Sequence, residues 1–204
     1  NGMAEAAEYA NLTVGNNDEY KAFVSKHLKV IYQANQSAKI AYSYMFNTEF
    51  VPAENLGVKN SKWDKKDGYQ VNRDCYNSYF YVVEDEETNH IDKFVMHGQE
   101  MTQYLDGGSA LHLNLDEALS ADAYVKLFNV AAATGCNYFC INVKITICND
   151  CEKIDKRTLH LCSNCGSENI DHGTRVIGYL KRVTAFSQGR QKEHALRHYH
   201  KESA

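Results

Sequence analysis

Ala110-Leu111-His112-Leu113-Asn114-Leu115 is followed by Ser120, by apolar Tyr124, Leu127, Phe128 and Ala131, by Gly135, and then by Tyr138-Phe139-Cys140-Ile141-Asn142-Val143. The first six residues alternate with period two, which predicts a half-buried strand. Ser120 suits a helix N-cap, and Gly135 suits the left-handed residue that closes a helix. Residues 138–143 read as a second strand. Strand, helix, glycine and strand at this spacing make a βαβ unit, so the two strands are expected to be parallel in an α/β sheet or barrel.

Upstream of this unit, Asp18 to Phe46 places apolar residues at Tyr20, Phe23, Val24, Leu28, Ile31, Ala34, Ala38, Ala41, Tyr42 and Met45. That period predicts one long amphipathic helix with Asp18 as its N-cap. Phe50-Val51-Pro52-Ala53-Glu54-Asn55 breaks it with the only proline of the chain. Trp63-Asp64-Lys65-Lys66-Asp67-Gly68 reads as a turn, Tyr76 to Val83 as a strand by propensity, and Glu84 to Asn89 as a solvated acidic turn. The chain opens at Asn1 into Ala/Glu-rich sequence that reads as a helix under way, so a piece of a longer polypeptide is expected.

One proline in 204 residues, where average usage would give about 10, excludes Pro-rich linkers and stalks. Lys+Arg 22 against Asp+Glu 26 leaves a net charge of −4. No global basic field therefore points to nucleic acid. No apolar run approaches the roughly 18 residues of a membrane span, and no secretory signal opens the chain, so no membrane partner is expected. Seven cysteines in such a chain point to the reducing cytoplasm.

Four of those cysteines form Cys148-Asn149-Asp150-Cys151 and, ten residues on, Cys162-Ser163-Asn164-Cys165. Each C-x2-C turn presents two thiolates to one point, and two turns close a tetrahedron around Zn²⁺. Four sulfurs leave no open position for water, so the predicted site is structural. Cys75, Cys136 and Cys140 are read as small buried hydrophobes. His112 is read as a satisfied core or rim histidine. His194, His198 and His200 are placed on one short basic surface helix, a reading preferred over metal binding by His194 and His198, which stand four residues apart.

Thr174-Arg175-Val176-Ile177-Gly178-Tyr179-Leu180 follows the cysteines. By itself Gly178 suits a close backbone approach or a positive φ. The Arg-Val-x-Gly-Tyr pattern near a C-terminus, however, resembles the radical loop of glycyl radical enzymes. With a four-cysteine site just upstream, it is similar to the class III anaerobic ribonucleotide reductases. Further stretches resemble that branch: Phe46 to Asn55, Asp92-Lys93-Phe94 with His97-Gly98, and Gly135-Cys136-Asn137-Tyr138-Phe139 with Asn142.

The resemblance implies a fold and an activity. Residues 1–145 would be the C-terminal part of a ten-stranded α/β barrel, 146–173 a four-cysteine zinc ribbon, and 174–204 the glycyl radical loop with a basic C-terminal helix. Gly178 would store the radical, because a planar Cα radical tolerates no side chain. The radical would pass to a cysteine, expected upstream of Asn1, which takes the 3′-hydrogen of a ribonucleoside triphosphate while the 2′-hydroxyl leaves as water. Implied partners are a radical S-adenosylmethionine activase, a second copy of the reductase, and nucleotide substrates and effectors. Formate or a small thiol protein would supply electrons, and the 204 residues alone would be inactive. The tail from Thr174, with few large apolar residues, is expected to swing out about its zinc anchor to meet the activase.

Pro52-Ala53-Glu54-Asn55 resembles the family loop that meets substrate. A proline before a fresh helix offers free N–H groups to a phosphate, although Glu54 also fits as an ordinary first-turn carboxylate. Two other readings stand beside the reductase. A formate-lyase type of glycyl radical enzyme shares the Gly178 pattern but would not carry the four cysteines. A zinc-ribbon module with a basic tail would grip nucleic acid.

Overall fold

The computed structural model describes residues 1–51, 53, 56–175 and 179–200. Five helices come first: α1 (Met3–Tyr9), α2 (Asp18–Tyr42), α3 (Leu56–Lys66), α4 (His90–Met96) and α5 (Gln99–Thr102). Strand β1 (Leu111–Leu115), helix α6 (Ala121–Thr134) and strand β2 (Phe139–Val143) follow. The chain then builds β3 (Ile145–Cys148), β4 (Ile154–Asp155), β5 (Ile170–Arg175) and β6 (Leu180–Arg182), and closes with α7 (Gln188–Leu196).

The βαβ unit forms as its sequence requires. β1 and β2 pair in parallel, from Leu111 opposite Phe139 to Leu115 opposite Val143. The Ser120 side chain accepts the Ala123 N–H at 3.2 Å. Gly135 takes φ +72°, and the Gly135 and Cys136 N–H groups bond back to Ala132 and Ala131, the pairing of a Schellman stop. β1 differs from expectation in one respect: it is buried along its whole length. Leu111 and Leu113 join Tyr79, Phe80, Tyr81 and Phe94 in the core. Between them, His112 and Asn114 are buried as well. Strands covered on both faces are the rule in α/β folds, and alternation in sequence does not reveal the second cover.

Three upstream elements also differ. The long helix runs only to Tyr42, with Ser43 in the left-handed region, and its cap is Asn17, whose side chain accepts the Tyr20 N–H at 2.9 Å. Residues 63–66 are helix, since α3 continues through Trp63 to Lys66. Only Asp67-Gly68 turns: Tyr69 N–H reaches Asp64 C=O and Gly68 N–H reaches Lys65 C=O, again a Schellman stop. Residues 76–83 form no strand, yet every one is buried. Side chains satisfy the backbone there in place of a ladder, as burial demands. Asn77 Oδ1 accepts the Val83 N–H at 3.1 Å, and Tyr20 donates to Phe80 C=O at 2.5 Å. Stacked rings, Tyr79 on Tyr81 at 5.0 Å and Phe50 on Phe80 at 4.0 Å, fill the space.

After β2 a single residue, Lys144, leads into an antiparallel sheet of order β4-β3-β5-β6. The chain thus passes directly from parallel α/β packing to the polar, cysteine-rich ribbon. The tail departs from the expected basic helix. α7 stops at Leu196; His198 N–H then bonds Val83 C=O at 2.8 Å, and His200 pairs in parallel with Leu115 of β1. His200 N–H bonds Asn114 C=O at 3.1 Å, and Asp116 N–H bonds His200 C=O at 3.0 Å. His194 and His198 therefore do not share a helix face. Among the described residues no helix is long and apolar enough to cross a membrane.

Candidate functional site

The four cysteines meet. One thiol from each of Cys148, Cys151, Cys162 and Cys165 lies within 4.8 Å of every other. Cys148 and Cys165 sulfurs are 3.6 Å apart, and Cys151 and Cys162 sulfurs 3.5 Å. A tetrahedral ion with metal–sulfur bonds of about 2.3 Å places its sulfurs about 3.8 Å apart, so the cluster fits Zn²⁺. Local chemistry builds each turn. Cys162 C=O accepts the Gly166 N–H at 3.0 Å, with Gly166 at φ +72°. Asp150 ties the two turns together by accepting from the Asn169 amide at 2.6 Å and from the Ser167 hydroxyl.

The surroundings favour thiolate at Cys151 and Cys162. The Asn164 side-chain amide and the Lys153 N–H bring the Cys151 thiol down to about 6. The Cys165 and Asn164 backbone N–H groups lower Cys162. Cys165 moves the other way: the Ser167 N–H favours its thiolate, but the neighbouring sulfurs push it up to about 12. Four thiols this close resist ionising together, and a dication removes that resistance. When bound, the ion would supply folding energy and no open coordination position.

The remaining cysteines sit in contrasting settings. Cys75 and Cys136 are buried and Cys140 is half-buried. Burial raises all three thiols, Cys136 to about 11. His112 is a core residue as expected, but its Nδ1 is buried without a hydrogen-bond partner, so it is not satisfied. A cavity of about 500 Å³ opens beside α7, lined by Arg73, Cys75 and Asn77 with Lys192 and Glu193 of α7.

Gly178, with Val176 and Ile177, lies outside the described residues, as do Pro52, Glu54 and Asn55. The residues that flank them are placed, and they converge. β5 leads from the ribbon to Arg175, whose N–H bonds Asn142 Oδ1 at 2.9 Å. The same oxygen accepts the Thr174 hydroxyl at 3.0 Å, and Asn142 Nδ2 donates to Asn114 Oδ1 at 2.7 Å. Arg175 C=O accepts from Arg197 Nη1 at 3.2 Å. Ala53, the described member of the 52–55 stretch, turns its C=O to Arg190 Nη2 at 3.0 Å.

Asn142, Arg190, Glu193 and Arg197 were not marked by sequence reasoning as site residues. The Arg190/Glu193/Arg197 spacing is legible as a helical ion-pair pattern. Surface helices carry that pattern routinely, and nothing in it announces burial.

Comparisons with known proteins place this geometry. A family model described as anaerobic ribonucleoside-triphosphate reductase matches residues 1–200. A solved anaerobic ribonucleotide reductase is 26% identical, with a TM-score of 0.86, over 99% of this chain and 33% of its own. The anaerobic ribonucleotide reductase from Thermotoga maritima with glycerol in the active site is 26% identical, with a TM-score of 0.79, over 94% of this chain and 31% of its own. The Thermotoga maritima enzyme in complex with dATP and CTP shares the fold at a TM-score of 0.78 and 24% identity, over 96% of this chain and 32% of its own. This chain thus spans about a third of the solved reductases it matches. No curated protein matches it.

Proposed function

The chain belongs to the anaerobic ribonucleoside-triphosphate reductase family, and from that premise we propose that it is the C-terminal part of a reductase using glycyl and thiyl radicals to make deoxyribonucleotides. Membership favours this reading over a formate-lyase type of enzyme and over a nucleic-acid-binding zinc module. Residues 1–145 would contribute to a ten-stranded barrel, with the parallel β1–β2 pair as two of its strands. Residues 146–173 would be the zinc ribbon and 174–204 the radical loop and tail, the three units being joined through β3 and β5.

In this reading Cys148, Cys151, Cys162 and Cys165 hold Zn²⁺ and fix the root of the strand that ends at Arg175. Gly178, three residues on, carries the radical. A separate activase using S-adenosylmethionine removes one α-hydrogen atom from it. The glycyl radical takes a hydrogen atom from a cysteine thiol, and the resulting thiyl radical takes the 3′-hydrogen of the nucleotide. Pro52, Ala53, Glu54 and Asn55 meet that nucleotide. The working enzyme would be a cytoplasmic dimer regulated by nucleotides, and these 204 residues alone would not reduce a substrate.

The observation that carries the proposal is the four-thiol cluster at the base of β5, the strand that delivers the Arg-Val-x-Gly-Tyr segment. The test is anaerobic incubation of the full-length protein with its activase, S-adenosylmethionine and a reductant. An organic radical signal split by the one remaining α-hydrogen is expected, and Gly178→Ala should abolish it. A full signal in the alanine variant would refute the assignment.

A further inference from the structure

Lys93 and His200 meet where burial leaves little room for a second charge. Lys93, on α4, is 1% exposed, and its Nζ lies 2.8 Å from His200 Nε2 and 4.6 Å from the centre of the Tyr81 ring. An ammonium group only donates. His200 Nε2 must therefore offer its lone pair, which leaves the ring neutral with its hydrogen on Nδ1. Two more imidazoles close around it edge to face, with the His90 ring centre 4.5 Å away and that of His198 4.4 Å. His90 Nδ1 is itself buried without a hydrogen-bond partner.

This contact fastens a segment of backbone. His200 N–H bonds Asn114 C=O, Asp116 N–H bonds His200 C=O, and His198 N–H bonds Val83 C=O. The segment has a firm root in Arg197, which is 7% exposed and forks onto the buried Glu193 of α7, Nε to Oε1 at 2.7 Å and Nη2 to Oε2 at 3.0 Å. Tyr199 adds a separate hold, with its hydroxyl 3.1 Å from Thr174 Oγ1 and Lys144 Nζ 4.9 Å from its ring centre.

The charges around His200 are one-sided. Burial first, then Lys93, His90 and His198, oppose a proton on His200, while the charge of Asp85 favours one, and its pKa is brought down to about 3. Burial and Lys93 bring His90 down to about 4. Burial lowers Lys93 only to about 8, against the pull of Asp85, so it stays charged at neutral pH and below. The other carboxylates nearby are turned elsewhere: Glu86 Oε1 lies 3.5 Å from His198 Nδ1, and Asp116 Oδ1 lies 3.9 Å from Lys144 Nζ.

We propose that Lys93, His90 and His200 form an acid-released clasp, in which a proton on His200 Nε2 breaks the Lys93 contact and frees residues 198–200 from Asn114, Asp116 and Val83. The protonated nitrogen would turn a donor toward a donor and set one cation against another. A released His200 takes up its proton near pH 6.5, whereas the docked ring stays neutral far below that. The released segment therefore binds more protons between these values, and docking weakens as pH falls. One proton lowers the docking equilibrium about eightfold between pH 7 and pH 5.5, and His90, uncovered with His200, acts in the same direction. Arg197 and α7 stay in place. The clasp stands whether or not Gly178 stores a radical.

Hydrogen exchange of the full-length protein, read by mass spectrometry, tests this. Protection of the peptide carrying the His198 and His200 amides, corrected for the intrinsic exchange rate, should fall about eightfold or more from pH 7 to pH 5.5. His200→Gln keeps an acceptor for Lys93 but takes no proton, so its fall should be about eightfold smaller. No fall in the natural protein, or an equal fall in the variant, would overturn the clasp. Exchange of the ring C2 hydrogen reports the titration of His200 without any substitution. A midpoint well below 6.5 is expected in the natural protein, and a midpoint at about 6.5 or above would overturn the clasp whatever the variant does.

Discussion

Asn142 holds Arg175 by its backbone. Asn142 Oδ1, on β2 of the parallel pair, accepts the Arg175 N–H at 2.9 Å, so the strand that leaves the cysteine cluster is docked onto the α/β layer by one buried side chain. The same residue is 1% exposed and also serves Thr174 and Asn114. Two sheets with different chemistry, one apolar and one built around thiols, are joined through this amide.

Asn142→Ala should therefore take their partner from both the Arg175 N–H and Asn114 Oδ1, while the Thr174 hydroxyl keeps Tyr199 at 3.1 Å. Each costs about 1–3 kcal/mol, so a loss of several kcal/mol is expected. Amide hydrogen exchange at Arg175 should speed up more than exchange at Ile147, and bound zinc should be retained. Equal protection at Arg175 in variant and natural protein would show that other contacts hold the strand end.

Metal analysis should return about one zinc per chain, as a four-thiolate site implies. Cys151→Ser should lose the metal and with it the protease resistance of residues 148–175, because ribbon folding and metal binding are one equilibrium. A metal-free variant that resists proteolysis as well as the natural protein would rule out a structural ion.

His97 predicts an acid-sensitive core. Phe80 N–H donates to its Nε2 at 3.4 Å and its Nδ1 faces Ser109 Oγ at 2.8 Å, an arrangement that takes the neutral ring. Burial first, and His112 second, push its pKa down to about 3. An unfolded histidine takes up its proton near pH 6.5, so between about 6.5 and 3 the unfolded state binds more protons and stability falls as pH falls. The slope is about 1.4 kcal/mol per pH unit for one proton. His112 and His194, each pushed down to about 4 by burial, add to it in the same direction. Urea midpoints at pH 7 and pH 5 should differ less in His97→Gln than in the natural protein. An identical difference would show that His97 is already protonated in the folded state.

The sequence made the local rules legible. Ser120, Gly135 and the alternating strand sufficed for the βαβ unit, since capping and period depend on neighbours only. The two C-x2-C turns sufficed for the cluster, because four ligands at fixed spacing have few other arrangements. What escaped was set by tertiary context. Tyr76 to Val83 has strand propensity, but Asn77 and Tyr20 satisfy its backbone without a partner strand. Trp63 to Lys66 looks like a turn until Asp67-Gly68 is seen as the helix stop. Asn142, Glu193 and Arg197 are ordinary polar residues in sequence, and only burial makes them connectors.

Gly178 is proposed to store the radical, and oxygen would locate that radical directly. A carbon radical captures O₂, and the peroxyl species then breaks the backbone at the radical residue. Air exposure of the activated full-length protein, followed by mass spectrometry, should release a C-terminal piece beginning at or near Tyr179, in yield matching the radical signal. Cleavage elsewhere, or none despite a full signal, would remove Gly178 from the mechanism.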